Sequence, residues 1–176
     1  GLPPVHTELR IVDNDNVAVG PDERGEICIK GPNIMKGYWN RPEATANAID
    51  EMGWFHSGDV GYIDEEGYLY ICDRLKDMVI TGGENVYPAE VESVLFEHPA
   101  ITEVAVIGLP DEKWGEAVTA VAAVTDGSDL TLEALRDFAV AKLARYKLPS
   151  RLHIVEALPR NPAGKVLKFE LRETLA

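Results

Sequence analysis

Alternating apolar and polar residues mark the first part of the chain. ELRIV (8–12) and EICIK (26–30) both alternate, which predicts two strands of a half-exposed antiparallel sheet. RPEATANAID (41–50) predicts a short helix with Pro42 near its first turn. GYIDEEGYLYICD (61–73) predicts a β-hairpin, because two β-rich runs flank DEEG and Gly67 can adopt a positive φ. Together these patterns predict a small β-rich unit over 1–75.

The pattern changes at the charged stretch RLKD (74–77), which is typical of a linker or hinge. DMVITGG predicts a strand that ends at paired glycines, and YPAEVESVLFEH predicts a helix with an apolar stripe. The remaining predicted elements are two strands, a helix, a strand and a short helix, in TEVAVIGLP, EAVTAVAAVT, TLEALRDFAVAKLARY, RLHIVEAL and KFELRETLA. This alternation predicts a compact α+β or α/β unit over 76–176, and an α+β class for the whole chain.

Composition narrows the class of protein. Hydrophobic residues make up 45% of the chain, which is enough for a buried core. No apolar run approaches the roughly 18 residues that a membrane-spanning helix needs. Cys28 and Cys72 lie in apolar, strand-like runs and are interpreted as buried thiols in a reducing compartment. We therefore expect a cytoplasmic protein, and peripheral attachment to a membrane stays open.

The distribution of charge favours a small anionic ligand over a nucleic-acid polymer. The net charge of −13 argues against general binding of nucleic acids. Residues 137–176 nevertheless carry 8 Lys and Arg against 4 Asp and Glu. This basic end suits an anionic ligand, although a solvated basic face explains it equally well.

Single motifs do not identify a reaction. The four histidines lack metal-ligand spacing, and no GxSxG nucleophile elbow is present. TGGEN (81–85) is not a Walker loop, because no Lys-Ser or Lys-Thr follows its glycines. On spacing alone this stretch is a structural turn. We predict no metal site in the chain.

Three stretches, taken together and in order, closely resemble the AMP-forming acyl-CoA synthetases, which belong to the adenylate-forming superfamily. They are GEICIKGPNIMKGYWNRPEAT (25–45), GWFHSGDVGYIDEEGYLYICDRLKDMVITGGENVYPAEVE (53–92) and PRNPAGKVLK (159–168). GLPDEKWGE and ARYKLP add a resemblance to the fatty-acyl branch. The resemblance implies that a carboxylic acid, which we expect to be a fatty acid, reacts with ATP to give acyl-AMP and pyrophosphate. The acyl group then passes to CoA with release of AMP.

The resemblance also indicates a fragment. The family's phosphate-binding loop, its Mg²⁺ ligand and most of its acyl pocket would precede Gly1. Residues 1–75 would then be the β-rich end of the large N-terminal domain, and 76–176 the mobile C-terminal domain. We expect the isolated chain to be inactive without the missing part of the N-terminal domain. We also expect apolar surface left uncovered on the truncated domain to promote self-association.

Residue roles follow from the same resemblance. Asp59 matches the aspartate that binds both ribose hydroxyls of ATP and AMP, where a carboxylate offers two acceptor oxygens. Arg74 matches an arginine that contacts the ribose and phosphate, and Lys76 matches the hinge residue. Without the resemblance, Asp59 would close a turn, Arg74 would pair with Asp73 or Asp77, and Lys76 would be a surface lysine.

Lys165 matches the lysine that contacts the acyl carboxylate and the oxygen joining it to the α-phosphate. A positive charge is useful there, because a carboxylate anion attacks a polyanion. Pro159 and Pro162 restrict the loop, and Gly164 lets the backbone approach closely. A solvated turn lysine is the alternative. Some relatives are silenced by acylation of this lysine, and nothing in the sequence shows such regulation here.

The resemblance assigns further residues to the CoA acceptor. Thr81 and Gly83 would line a tunnel for pantetheine, and Glu84 would orient that state. Trp114 would lie near the CoA nucleotide, or would pack in the core. Lys147 and Arg151 would bind the CoA phosphates.

Two alternatives to a CoA ligase stay open. Adenylation could serve a carrier protein, since carrier proteins also present pantetheine. The chain could also be a non-catalytic module that binds nucleotides or a partner protein.

Overall fold

A computed structural model describes all 176 residues as two compact units, 1–76 and 77–176, and each unit is described by itself. The first unit comprises β1 (Glu8–Val12), β2 (Gly25–Lys30), α1 (Pro42–Ala48), β3 (Phe55–Ile63) and β4 (Leu69–Arg74). The strands form one antiparallel sheet in the order β1-β2-β3-β4, so every strand pairs with its neighbour in sequence.

The predicted elements of the first unit are confirmed. β1 covers the predicted residues, and α1 has Pro42 in its first turn. The hairpin from β3 to β4 turns at Gly67, whose φ is +87°. Burial along these strands does not alternate as the sequence does, since Ile11 and Val12 are buried side by side on β1, and Ile27 and Cys28 on β2.

The first unit has few fully buried apolar side chains and many exposed ones. The buried ones are Ile11, Val12, Ile27, Cys28 and Val60. Side chains that are more than half exposed are Leu2, Val5, Val17, Trp39, Met52 and Ile71. Cys72 is half-buried, so only Cys28 matches the expectation of two buried thiols. This unit therefore presents six large apolar side chains to solvent.

The second unit combines three α-helices and two 3₁₀ turns with one sheet. Its elements are a 3₁₀ turn that begins in the first unit (Leu75–Asp77), β5 (Val79–Thr81), β6 (Glu84–Val86), α2 (Pro88–Leu95), β7 (Ile101–Asp111), β8 (Gly115–Val124), α3 (Leu132–Ala139), a 3₁₀ turn (Arg145–Lys147), β9 (Arg151–Ile154) and α4 (Lys168–Leu175). The sheet order is β6-β5-β8-β7, and β9 runs parallel to β8. All other pairs are antiparallel, which confirms the α+β class.

Both faces of the central hairpin of β7 and β8 are buried. Successive side chains of a strand point to opposite faces, so the hairpin supplies two hydrophobic clusters. One cluster joins Val106, Val118 and Ala120 to α2 and α3, and the other joins Ile107, Leu109 and Val121 to α4. Burial on both sides explains why TEVAVIGLP and EAVTAVAAVT are almost continuously apolar.

Two predicted elements of the second unit differ from the structure. The helix predicted over TLEALRDFAVAKLARY ends at Ala139, and the backbone N–H groups of Lys142 and Leu143 both donate to the Ala139 carbonyl. Leu143, which lies beyond the end of the helix, is still buried. The strand DMVITGG ends at Thr81 as predicted, but Glu84–Val86 then returns as β6.

The compact units divide directly after Lys76, within the charged stretch. The assignment of the two units to parts of a larger adenylating enzyme stays a prediction. No helix in the structure combines the length and the apolar character needed to cross a membrane.

Candidate functional site

Asp59 and Arg74 lie opposite each other on β3 and β4. Arg74 Nε is 3.0 Å from Asp59 Oδ1, and the two side chains are 51% and 30% exposed. Asp77, one of the alternative partners, pairs instead with Arg172 at 3.1 Å. Asp73 Oδ1 accepts a hydrogen bond from the backbone N–H of Arg74. The end of this hairpin therefore presents a carboxylate and a guanidinium together, both accessible to a ligand.

Lys165 follows a loop that is braced by its own side chains. Asn161 Oδ1 accepts hydrogen bonds from the backbone N–H groups of Ala163 and Lys165, at 3.0 and 2.9 Å. Arg160 donates to the Gly164 carbonyl at 2.7 Å, and Gly164 has a φ of +81°. The exposed Lys165 ammonium has no hydrogen bond or ion pair within the structure. Hydrogen bonds hold the backbone of the loop, while the Lys165 ammonium is available to contact a ligand.

Sequence reasoning missed the two residues that brace this loop. Arg160 and Asn161 lie within the PRNPAGK motif, but the sequence predicted roles only for its prolines, its glycine and its lysine. Asn followed by small or turn-forming residues is a general signal for an Asx turn. Lys76 is exposed in the 3₁₀ turn at the end of the first unit, and its hinge role stays a prediction.

A cavity of about 320 Å³ lies beside the β5–β6 hairpin in the second unit. Three of the predicted acceptor residues line it, namely Thr81, Glu84 and Trp114. Gly83 stands next to the cavity at the hairpin turn, where no atom lies within 4 Å of the position a Cβ would occupy. The turn has the close, side-chain-free backbone that a thin ligand needs.

Trp114 packs on the hairpin and not in the core. Its backbone carbonyl accepts a hydrogen bond from Gly82 N–H at 2.8 Å, and its side chain is 51% exposed. Its turn is held by Asp111 Oδ1, which accepts from the N–H groups of Trp114 and Lys113 at 3.1 and 3.0 Å. These backbone hydrogen bonds, with the nearby Arg151, lower the pKa of the Asp111 carboxyl.

Lys147 and Arg151 do not line the cavity, and both are ion-paired. Lys147 Nζ lies 2.6 Å from Glu90 Oε1 with only 13% of its side chain exposed, and Arg151 lies 3.1 Å from Asp111 Oδ2. Arg136 and Arg145, which sequence reasoning missed, line the cavity. Arg136 donates to the Pro149 carbonyl, whereas Arg145 makes no ion pair in the structure. Arg145 belongs to the basic stretch RYKLPSR, in which the sequence predicted only Lys147 and Arg151 as phosphate ligands.

One group of metal-ligating residue types lies in the first unit. Single ligand atoms of Glu26, Cys28 and His56 lie within 4.8 Å of one another. Burial, followed by the Glu26 charge, raises the pKa of the Cys28 thiol to about 11, so the thiol is protonated at neutral pH. The sequence did not predict this group because its members come from two strands.

Comparison with known proteins matches both units to one family. The family model described as "AMP-binding enzyme" matches residues 1–39, and the model described as "AMP-binding enzyme C-terminal domain" matches residues 90–165.

Individual relatives agree with the family models. Over 98% of its length, the chain is 52% identical to the long-chain-fatty-acid–CoA ligase FadD13 of Mycobacterium tuberculosis and 48% identical to a feruloyl-CoA synthase of Amycolatopsis sp.. The chain covers 34% and 35% of these two proteins, so it spans about a third of the length of the curated relatives it matches.

A solved structure supports the same assignment. ATP-bound MatB from Rhodopseudomonas palustris is 41% identical, with a TM-score of 0.90, and the match covers 99% of this chain and 35% of MatB. The sequence relatives and the fold match almost the whole chain, and the two family models match parts of both units. The chain belongs to the AMP-binding, adenylate-forming family of enzymes, among relatives that are acyl-CoA ligases.

Proposed function

We propose that this chain works within an ATP-dependent acyl-CoA synthetase. The enzyme joins a carboxylic acid to AMP with release of pyrophosphate, then transfers the acyl group to CoA with release of AMP. One observation carries this proposal: the chain is about equally similar to two CoA ligases whose names specify different acids, a long-chain fatty acid and ferulate. The shared acceptor is therefore better supported than any one acid, and a fatty acid is the acid we propose.

Asp59 and Arg74 fit the nucleotide in this proposal. The two oxygens of the Asp59 carboxylate accept hydrogen bonds from the two ribose hydroxyls. Arg74 lies 3.0 Å from one of these oxygens, so its guanidinium orients the carboxylate and reaches the neighbouring phosphate. Both side chains are partly exposed, so a bound nucleotide would displace water from them and would not have to displace a buried protein group.

Lys165 supplies positive charge to the adenylation step. The carboxylate of the acid attacks the α-phosphate of ATP, the bond to pyrophosphate breaks, and negative charge accumulates on the reacting oxygens. An ammonium aimed at these oxygens lowers the barrier. Lys165 suits this role because its loop is braced while its ammonium has no partner in the chain.

The cavity beside the β5–β6 hairpin fits the thiol acceptor. Thr81 and Glu84 pair across the hairpin turn and line the cavity together with Trp114, and Gly83 lies in the turn between them. Arg145 is an unpaired cation at this cavity, so it is a natural contact for a CoA phosphate. Lys147 and Arg151 would first have to exchange Glu90 and Asp111 for phosphate.

Mg²⁺ accompanies ATP in this proposal, and no ligand for it is assigned within the chain. Mg²⁺ prefers an octahedral set of oxygen atoms. The Glu26–Cys28–His56 group includes a buried thiol and does not fit this preference. We propose that the remainder of the adenylation domain is a further partner and that the protein does not bind nucleic-acid polymers. We also propose a cytoplasmic location.

The test is a two-step assay of the natural protein that contains this chain. Pyrophosphate release is measured with ATP, Mg²⁺ and a panel of fatty and aromatic acids. CoA and a pantetheine-bearing carrier protein are then compared as acceptors. We expect acid-dependent pyrophosphate release followed by a CoA thioester, and no turnover by the 176-residue chain alone.

Two outcomes separate the alternatives. A thioester formed on the carrier in preference to CoA would replace the CoA ligase with a carrier-loading enzyme. Nucleotide binding without pyrophosphate release for any acid would favour a non-catalytic module.

A further inference from the structure

The sheet of the first unit is irregular at Asp59 and the two residues before it. The ladder between β2 and β3 pairs Glu26 with Val60 and Cys28 with His56. Three residues of β3, 57–59, therefore face the single residue Ile27 of β2. Gly58 has a φ of +70° within this bulge. Bulges bend a strand and change the direction in which the adjacent side chains point.

The Glu26 carboxylate closes this bulge with both of its oxygens. Oε1 accepts a hydrogen bond from the backbone N–H of Gly58 at 3.0 Å. Oε2 lies 2.7 Å from Nδ1 of His56, the residue just before the bulge. The Glu26 side chain is only 16% exposed, so these bonds are shielded from competing water. Glu26 thus supplies the acceptor that the interrupted ladder lacks.

His56 is held from its other side as well. Its Nε2 lies 3.8 Å from Asp50 Oδ2, and Asp50 pairs with Arg10 at 3.1 Å. Cys28 Sγ lies 3.5 Å from His56 Nδ1. The imidazole therefore lies among polar groups from β2 and the segment after α1, and Asp50 links this group to Arg10 on β1.

The distances favour a hydrogen-bonded group over a bound metal ion. Two nitrogen or oxygen ligands of one tetrahedral zinc ion are about 3.3 Å apart, given bond lengths near 2.0–2.1 Å. The 2.7 Å between His56 Nδ1 and Glu26 Oε2 is shorter and matches a charge-assisted hydrogen bond. The Arg10 guanidinium, which pairs with Asp50 beside His56, would also oppose a cation here.

We infer that Glu26, together with His56, is a positioning residue for the nucleotide, because it sets the bulge from which Asp59 projects. This inference rests on the proposed function, in which Asp59 binds the ribose. Asp59 follows Gly58 directly, and its side chain then meets Arg74 on β4. Loss of the Glu26–Gly58 bond would let the bulge relax and turn the Asp59 carboxylate away from the ribose hydroxyls.

The main experiment measures the KM for ATP in the natural active protein. Glu26→Ala removes both hydrogen bonds, and we expect the KM for ATP to rise about tenfold, the effect of one lost buried hydrogen bond. The KM for the acid should not change. Glu26→Gln should stay within about threefold of wild type, because its amide oxygen can accept from Gly58 and its NH₂ can donate to the other His56 tautomer.

A second comparison separates positioning from general loss of stability. If Glu26 acts through Asp59, Glu26→Ala should add almost nothing in an Asp59→Ala background. Glu8→Ala is the matched control, since Glu8 is an exposed glutamate on the same sheet. If Glu26→Ala does not fold, Glu26→Asp replaces it, because the shorter side chain cannot reach both donors.

A structural measurement on the 176-residue chain is independent of the reaction. We expect Glu26→Ala to accelerate hydrogen exchange of the Gly58 amide, and Glu26→Gln to leave it protected. An unchanged Gly58 amide, an unchanged KM for ATP, or additive losses with Asp59→Ala would overturn the positioning role. One equivalent of tightly bound zinc, lost in Glu26→Ala and Cys28→Ala, would overturn it in favour of a metal site.

Failure of the proposed function looks different. In that case the wild-type protein itself shows no acid-dependent release of pyrophosphate, and the assignment of Asp59 to ribose falls with it. Failure of the positioning role appears only in variants of an active enzyme.

Discussion

Lys165 carries the sharpest prediction at the residue scale. Its ammonium is exposed and unpaired at the end of a braced loop, so replacing it removes charge without removing packing. We expect Lys165→Ala to lower the rate of acyl-AMP formation by roughly 10²–10³, the usual loss when one donor to a developing charge is removed. Thioester formation from supplied acyl-AMP should change little. The two half-reactions are measured separately in the natural protein.

The control for Lys165 is Lys142→Ala. Lys142 is another exposed lysine of the second unit, and it pairs with Glu97. This variant should retain both half-reactions. An equal loss of both half-reactions in Lys165→Ala would contradict the assigned role.

Asp111 carries a prediction about pH. Hydrogen bonds from the backbone of Trp114 and Lys113, and the Arg151 charge, lower the pKa of its carboxyl in the folded chain. Stability from this carboxylate is present above its unfolded pKa of about 3.9 and is lost as the pH falls through the lower folded pKa. The difference in unfolding free energy between wild type and Asp111→Asn should therefore be largest near neutral pH and narrow below about pH 4.

Urea titrations from neutral to acidic pH measure this difference. Asp129→Asn, which changes an exposed carboxylate in the loop before α3, is the control. A difference for Asp111→Asn that stays constant with pH would show that the charge does not contribute.

At the scale of the element, the two glycines of the β5–β6 hairpin allow the cost of backbone strain to be measured apart from the cost of a side-chain clash. Gly82 and Gly83 both have positive φ, at +60° and +86°. A Cβ on Gly82 would lie 3.0 Å from the Trp114 ring, whereas a Cβ on Gly83 would meet nothing within 4 Å. Gly83→Ala should cost about 1 kcal/mol of unfolding free energy from strain alone. Gly82→Ala should cost more, about 2–3 kcal/mol, because the ring must also move.

Denaturant unfolding and the NMR signal of the Trp114 indole N–H test this pair. The indole signal should shift in Gly82→Ala and stay in place in Gly83→Ala. Equal costs, with the indole signal unchanged in both variants, would show that Trp114 does not rest on the hairpin.

At the scale of the whole molecule, exposed apolar side chains of the first unit predict self-association. Trp39 is 89% exposed, and it is one of six apolar side chains in this unit that are more than half exposed. Surfaces of this kind are usually covered by another part of a protein. We expect the 176-residue chain to associate increasingly with concentration in sedimentation velocity, and Trp39→Ser to weaken this association.

Phe96→Ser is the matched control, because Phe96 is 59% exposed but lies in the second unit. It should associate like wild type. A chain that stays monomeric at all concentrations would contradict the prediction that the exposed apolar side chains of the first unit drive self-association.

The sequence by itself determined the elements whose signals are local. The alternation in β1, the proline at the start of α1 and the glycine turn between β3 and β4 all depend on consecutive residues, and the structure agrees. Ordered motifs also identified the family, and they picked out Lys165 and Asp59 as candidates. Local backbone preference and motif chemistry can be interpreted without knowing which distant residues meet.

Only the tertiary structure decided which side chains that are distant in sequence contact each other. The pairing of Lys147 with Glu90 spans 57 positions, and the contact of Glu26 with Gly58 spans 32. Neither pairing has a local signal, because both depend on strand register and on how helices pack against the sheet. Likewise, α3 ends at Ala139, earlier than the propensity of its sequence predicted. Energies of long-range packing and pairing exceed local preferences at these places, and these energies exist only once the chain is folded.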